Sequence, residues 1–97
     1  MYFLCRLIAP RPTFAADMTP AEAEAMKKHV GYWTDLLAKK TVIAFGPVLD
    51  PKGAWGLGIV NVRDEKELRE LQEGDPAIRA GIGLKYEAYP MPRVVHE

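Results

Sequence analysis

A chain of 97 residues is long enough for one hydrophobic core, so the sequence predicts a single domain over residues 1–97. Hydrophobic residues make up 48% and charged residues 27%, which is typical of a globular protein. The 13 basic and 13 acidic side chains cancel, so the chain has no net charge to attract nucleic acid or anionic lipid. The lone Cys5 excludes a disulfide framework, and no segment approaches the roughly 18 apolar residues of a membrane span, so we expect a cytoplasmic protein that binds neither nucleic acid nor membranes.

The chain begins with an aromatic and aliphatic segment, residues 2–9, that predicts a β-strand. Arg6 is the exception in this segment, and it either leaves the sheet at a strand edge or supplies a cation to a pocket. The next residues, 10–18, contain two prolines that a regular ladder does not accommodate, so they predict a loop. Loops of this length are often lids or binding segments, and Phe14 either covers the mouth of a cavity or packs against the following helix.

A long helix follows, and its start is specified in detail. Thr19 is the expected N-cap, a proline occupies the first helical position, and Glu22 is placed to complete a capping box. The helix is expected to end near residues 38–40. At about 100° per residue, His29 falls on the apolar side beside Trp33. Because an unpartnered buried polar group costs roughly 1–3 kcal/mol, His29 either has a partner in the core or lines a cavity.

A β-hairpin is predicted after this helix. β-Branched residues open a second strand over residues 41–49, which contains Phe45-Gly46-Pro47. Proline cannot donate to a ladder, so this part of the strand lies at an edge or bulge, often beside a site. A turn at residues 50–53 leads to a third strand at residues 55–62. Two glycines share one face of that strand, so another group can approach its backbone closely.

The remaining elements complete a recognisable order. Asp64 is the expected N-cap of a second helix ended by Gly74, Asp75 caps a short helical turn, and residues 81–91 form the last strand. Strand, helix, strand, strand, helix, strand predicts a ferredoxin-like α+β fold, with a four-stranded antiparallel sheet and both helices on one face. The other face carries apolar residues that nothing covers, so the sequence predicts a homodimer.

Three segments resemble the YCII-related domain family, and the resemblance extends over nearly the whole chain: His29-Val30-Gly31-Tyr32-Trp33, Phe45-Gly46-Pro47 and Gly74-Asp75-Pro76. It implies a dimeric α+β barrel in which His29 and Asp75 match the family's proposed catalytic pair in a cleft. It also implies chemistry of the kind found in its relatives, which include lyases of chlorinated hydroxyquinols and, in the wider superfamily, muconolactone isomerase. The family often has an aromatic residue where this chain has Ala77, a difference that predicts a reshaped pocket.

Two functional hypotheses follow. In the first, the protein is a cofactor-independent lyase or isomerase in which His29 and Asp75 transfer a proton on a small, aromatic or enolisable compound. In the second, it is a non-catalytic dimeric module that binds a small ligand, with His29 bonded within the core and Asp75 acting only as an N-cap. Neither needs a cofactor, and no Cys/His spacing typical of a metal site is present. The residues expected to bind the ligand are Arg6, Phe14, Trp33, Phe45, Gly46 and Pro47.

Overall fold

The structure is a computed structural model that describes all residues, 1–97. Its elements in chain order are β1 (Tyr2–Ile8), α1 (Phe14–Asp17), α2 (Pro20–Ala38), β2 (Val42–Val48), β3 (Trp55–Asn61), α3 (Glu65–Glu73), α4 (Pro76–Arg79) and β4 (Lys85–Met91).

The four strands form one antiparallel sheet in the order β2-β3-β1-β4. Cys5 in the centre of β1 lies opposite Gly58 of β3 on one side and Ala88 of β4 on the other. Alternate side chains of β1, Phe3, Cys5 and Leu7, are buried, because successive residues of a strand point to opposite faces. The predicted ferredoxin-like α+β fold is confirmed.

Helix α2 begins as the sequence predicts. The Thr19 side chain accepts a hydrogen bond from the Glu22 backbone N–H, and the Glu22 carboxylate accepts one from the Thr19 backbone N–H. This capping box satisfies two of the amide groups that a helix start leaves without partners. Asp64 and Asp75 cap α3 and α4 in a similar way, each accepting a backbone N–H. The three predicted N-caps are therefore confirmed.

Two segments differ from the sequence prediction. Residues 10–18 were expected to be a loop, but Phe14–Asp17 forms the short helix α1, in which the Thr13 carbonyl accepts hydrogen bonds from Ala16 and Asp17. The two prolines precede this turn, so they do not disturb it. The last strand begins at Lys85 rather than residue 81. Gly81 and Gly83 have φ of 64° and 92°, and these left-handed conformations turn the chain before the strand can start.

The core lies between the helices and one face of the sheet. Its buried members come from both the sheet and the helices: Phe3, Cys5, Trp33, Val42, Val60, Val62, Leu68 and Leu71. On the opposite face of the sheet, Leu4 pairs with Ile59 and Tyr89, and no helix of this chain covers these residues. No helix is both long enough and apolar enough to cross a membrane.

Candidate functional site

A cavity of about 240 Å³ lies between α2, the α1 segment and one end of the sheet. Of its 19 lining residues, 14 are hydrophobic. The lining residues include the aromatic side chains Phe14, Trp33, Phe45, Trp55 and Tyr86, together with His29, Gly46, Pro47 and Gly58. An apolar cleft with few polar groups is the usual form of a small-molecule site.

Trp33 belongs both to the core and to the lining of the cavity, and its ring lies directly on β3. A Cβ atom built on Gly58 would be 2.3 Å from the Trp33 ring carbon Cζ3, so only glycine allows this contact. Trp33 is 2% exposed. The predicted close approach to the glycine face of this strand is therefore confirmed at Gly58, and the approaching group is a side chain of the same protein.

His29 and Asp75 meet at the inner end of the cavity, although 46 positions separate them in sequence. The His29 Nδ1 atom lies 2.8 Å from Asp75 Oδ2 and 3.0 Å from Oδ1. Helix α2 supplies His29, and Asp75 stands at the N-cap of α4, where its Oδ1 also accepts the Ala77 backbone N–H at 2.9 Å. The two roles considered for Asp75 are thus compatible, since one carboxylate both caps the helix and contacts the imidazole.

Two aromatic side chains complete the surroundings of Asp75, which is 0% exposed. Trp33 Nε1 lies 2.9 Å from Asp75 Oδ2, and the Tyr86 hydroxyl donates to the same oxygen. Trp33 Nε1 is also 3.0 Å from Tyr86 Oη. Because an indole N–H can only donate, Tyr86 accepts from Trp33 and directs its own hydrogen to Asp75.

These contacts determine whether Asp75 and Tyr86 are protonated. Burial by itself raises the pKa of Asp75, but hydrogen bonds from His29, Tyr86 and the Ala77 amide outweigh burial and hold this pKa below its ordinary value. Burial, followed by the negative charge of Asp75, raises the pKa of Tyr86. At neutral pH the carboxyl group is therefore ionised and the phenol protonated.

An ionised carboxylate can only accept hydrogen bonds, so the nitrogen of neutral His29 that faces it carries the hydrogen. The other nitrogen, Nε2, then has a free lone pair on a ring that lines the cavity. This arrangement can accept a proton from a bound molecule and stabilise the resulting imidazolium.

Five of the six residues expected to bind a ligand line the same cavity as His29: Phe14, Trp33, Phe45, Gly46 and Pro47. Arg6 does not line it. The alternation of β1 directs Phe3, Cys5 and Leu7 toward the helices and Arg6 to the opposite face, where its guanidinium lies 4.5 Å from the centre of the Trp55 ring. Ala77 is fully buried beside Asp75 but does not line the cavity.

Sequence reasoning also missed two residues of the site. The alternation of the last strand predicts which face of the sheet Tyr86 lies on, but not its contact with Asp75. Arg11 clamps the α1 segment to α2, since it lies 2.7 Å from Glu22 Oε1 and 2.8 Å from Asp17 Oδ1. Hydrogen bonds from Arg11 are the main cause that lowers the pKa of Glu22 to about 2. These contacts of Arg11 hold Phe14, which is 4% exposed, over the cavity. No pattern in the sequence predicts the contacts of Arg11.

No group of three or more His, Cys, Asp or Glu side chains is arranged to hold a metal ion.

Comparison with solved structures shows what the fold is similar to. The chain superimposes on 5-chloro-2-hydroxyhydroquinone dehydrochlorinase from Burkholderia phenoliruptrix, in complex with 2,5-dihydroxybenzoquinone, with a TM-score of 0.62, 18% identity, and coverage of 97% of this chain and 96% of that chain. A protein from Caulobacter crescentus, named as a candidate antibiotic biosynthesis monooxygenase, gives a TM-score of 0.54 at 13% identity, with 95% and 90% coverage. These likenesses establish the ferredoxin-like α+β fold.

No curated protein matches the sequence. The sequence model of the YCII-related domain, in contrast, matches residues 1–92, nearly the full chain. The chain therefore belongs to the YCII-related domain family.

Proposed function

We propose that this protein is a cofactor-independent lyase or isomerase that transfers a proton on a small organic compound bound in the cavity. The observation that carries the proposal is the contact of 2.8 Å between His29 Nδ1 and a fully buried, ionised Asp75, on a ring that also lines an apolar cavity. In this reading His29 is the general base and Asp75 orients it.

The proton step uses the two nitrogens of His29 for different purposes. Nε2 takes a proton from an acidic O–H or C–H group of the substrate, and the electron pair left behind forms a new double bond. In an isomerase the imidazolium returns the proton to another atom, whereas in a lyase a leaving group departs with its own electron pair. Asp75 stabilises the imidazolium through Nδ1–H, which is worth most in a site from which water is excluded.

The substrate packs against the walls of the cavity, which are formed by Phe14, Trp33, Phe45, Gly46 and Pro47. Aromatic walls favour a flat or enolisable compound, because ring faces stack and apolar area is buried. The similarity in fold to a dehydrochlorinase supports a substrate of this kind and makes elimination of hydrogen chloride a specific reaction to test.

The experiment uses 5-chloro-2-hydroxyhydroquinone as a first compound, and follows chloride release together with incorporation of solvent deuterium by NMR. We expect His29→Gln to lower the rate by roughly 10²- to 10⁴-fold, the usual contribution of a general base. Asp75→Asn should lower it less, because Nε2 remains present but is no longer oriented. Lys28→Gln, an exposed change on the same helix, is the matched control.

The second candidate is a non-catalytic module that binds a small ligand in the same cavity. It is favoured by the complete satisfaction of Asp75, whose helix cap and side-chain partners explain its burial without any chemistry. Saturating binding with no chloride release and no exchange above the protein-free rate, over a panel of enolisable and hydroxylated aromatic compounds, would favour this module over the enzyme.

We also propose that the protein acts as a homodimer. Support comes from the sheet face opposite the helices, which carries half-buried apolar side chains such as Leu4 and Ile59. A second copy is the simplest partner for such a face.

A further inference from the structure

We propose that the cavity selects an uncharged compound that carries a hydroxyl group, and that His29 Nε2 accepts the hydrogen bond of this hydroxyl. The inference rests on the proposed function, in that it concerns the ligand of the same cavity.

Charge is absent from the lining of the cavity, which contains no Lys, Arg, Asp or Glu side chain. The two arginines near its ends do not line it, although the Nε atom of Arg6 is buried without a hydrogen-bond partner. Arg6 lies on the far face of the sheet, 3.4 Å from Glu87, and Arg11 is held by Glu22 and Asp17. An anionic ligand would therefore lose its hydration without gaining an opposite charge, which is costly in an apolar site. A cationic ligand would have only Asp75 nearby, and that carboxylate is already satisfied by His29, Tyr86 and the Ala77 amide.

Side-chain hydrogen-bond donors of the lining are already in use. Trp33 Nε1 and the Tyr86 hydroxyl both donate to Asp75. The indole N–H of Trp55 is directed to Asp50 Oδ2 at 3.2 Å. A carboxylate or phosphate in the cavity would thus meet no free side-chain donor, although such groups need several.

His29 Nε2 is the one side-chain nitrogen or oxygen of the lining without a hydrogen bond in the protein, apart from hydroxyl lone pairs. Whether Nε2 donates or accepts a hydrogen bond is determined by the residues around Asp75. Trp33, Tyr86 and the Ala77 amide keep Asp75 as a pure acceptor, so neutral His29 carries its hydrogen on Nδ1. In this neutral form Nε2 is an acceptor, and a ligand bonded to it has to be the donor.

Size narrows the class further. The cavity volume of about 240 Å³ lies slightly below the range of roughly 300–1,000 Å³ that is usual for small-molecule sites. That space accommodates one ring with small substituents. The ligand class is therefore a neutral, single-ring compound with at least one hydroxyl group.

The test compares probes of similar size that differ in one polar group: phenol, anisole, benzoate and benzylammonium. Each is titrated at about pH 8 into ¹⁵N-labelled full-length protein, and affinity is read from amide shifts of the residues lining the cavity. We expect phenol to bind at least about fivefold more tightly than anisole, which cannot donate, since a net hydrogen bond is worth around 1 kcal/mol. Benzoate and benzylammonium should bind at least tenfold more weakly than phenol.

His29→Phe should retain apolar binding and bring the ratio of phenol to anisole affinity close to one. His96→Gln, which changes the other histidine of the chain, should leave that ratio unaltered. The series on the unaltered protein decides the matter even if His29→Phe does not fold. Equal binding of phenol and anisole, binding of benzoate as tight as that of phenol, or the absence of shifts with all four probes would each overturn the proposal.

The outcome is separable from that of the proton-transfer assay. A preference for phenol without turnover of any compound would refute the enzyme and leave the ligand class standing. Turnover of a compound without a hydroxyl group, or of an anionic one, would have the opposite meaning.

Discussion

Asp75 is the residue whose surroundings explain most of the site. It is fully buried and charged, and it accepts hydrogen bonds from His29, Trp33, Tyr86 and the Ala77 amide. Removing one partner from a buried charge is costly because the remaining groups cannot recover its solvation. Each donor around Asp75 therefore contributes to stability as well as to the orientation of His29.

Tyr86→Phe tests this at the level of one atom. The change keeps the ring and removes the hydroxyl that donates to Asp75. We expect the free energy of unfolding to fall by about 1.5–3 kcal/mol, the range for hydrogen bonds to charged groups. Urea denaturation followed by tryptophan fluorescence measures it.

Tyr32→Phe is the matched control for that variant. The Tyr32 hydroxyl donates to a neutral acceptor, the Leu71 carbonyl, at 2.7 Å. Its loss should cost only about 0.5–1.5 kcal/mol. Equal losses in the two variants would contradict a special role for the charge of Asp75.

The pH dependence of stability follows from the direction of the Asp75 shift. Its pKa in the folded protein is below the ordinary value, whereas an unfolded Asp titrates near 3.9. The stability that its ionised form contributes is complete above about pH 4 and is lost as the pH falls through the folded pKa. We expect the difference in unfolding free energy between wild type and Asp75→Asn to shrink between about pH 5 and pH 2.

Denaturant titrations of both proteins at several pH values in this range measure that difference. Glu22, whose pKa is also lowered, is present in both proteins, so its contribution cancels. A difference that stays constant down to pH 2 would show that Asp75 is not stabilised in its ionised form.

Sequence reasoning reached some of these residues and not others, for physical reasons. The helical period places His29 inside, and the N-cap pattern identifies Asp75, because both are local signals. The contact of Tyr86 with Asp75 depends on how β4 aligns with β1, which pairs Tyr86 with Leu7, and periodicity carries no register. Arg6 was expected at the cleft because a charged residue in an apolar strand suggests a pocket, while the alternation of the strand decides its face.

At the scale of elements, local chemistry predicted boundaries well where caps are present. The start of α2 at Pro20 and the N-caps of α3 and α4 follow from side chains that bond nearby amides. The α1 turn was missed because a four-residue helix has too few positions to show a period. Hydrogen bonds from Arg11 and Thr13 to Asp17 hold α1, and an ion pair from Arg11 to Glu22 ties it to α2.

Gly58→Ala tests the contact between α2 and β3. A Cβ atom at this position would overlap the Trp33 ring at 2.3 Å from Cζ3 and 2.4 Å from Cη2. Trp33 cannot easily move, because its indole N–H is bonded to Asp75. Overpacking of a tight core costs about 1–3 kcal/mol, so we expect a loss of that size in urea denaturation, with shifted amide resonances around the cavity.

Gly46→Ala is the corresponding control on the neighbouring strand, since a Cβ atom there meets nothing within 4 Å. This variant should retain nearly the stability of the wild type. Comparable losses for the two glycines would indicate that strand conformation, rather than the Trp33 ring, limits both positions.

At the scale of the whole molecule, the order of elements was enough to predict the topology. Two helices at crossover positions around a hairpin place β1 in the centre of the sheet, next to β3 and β4. The face opposite the helices follows from the same topology. Its composition is unusual for a surface exposed to water, because Leu4 and Ile59 are half-buried and lie opposite each other on β1 and β3.

We expect two copies of the chain to form a homodimer through this face. Light scattering coupled to size exclusion should give about twice the chain mass of 10.8 kDa at micromolar concentration. Leu4→Glu places a charge at the centre of the face and should yield a folded monomer, since an unpaired charge at an interface is strongly unfavourable. Ala23→Glu, an exposed change on α2, should leave the dimer intact. A wild type that elutes as a monomer across dilutions would contradict the prediction, and circular dichroism distinguishes loss of the dimer from loss of the fold.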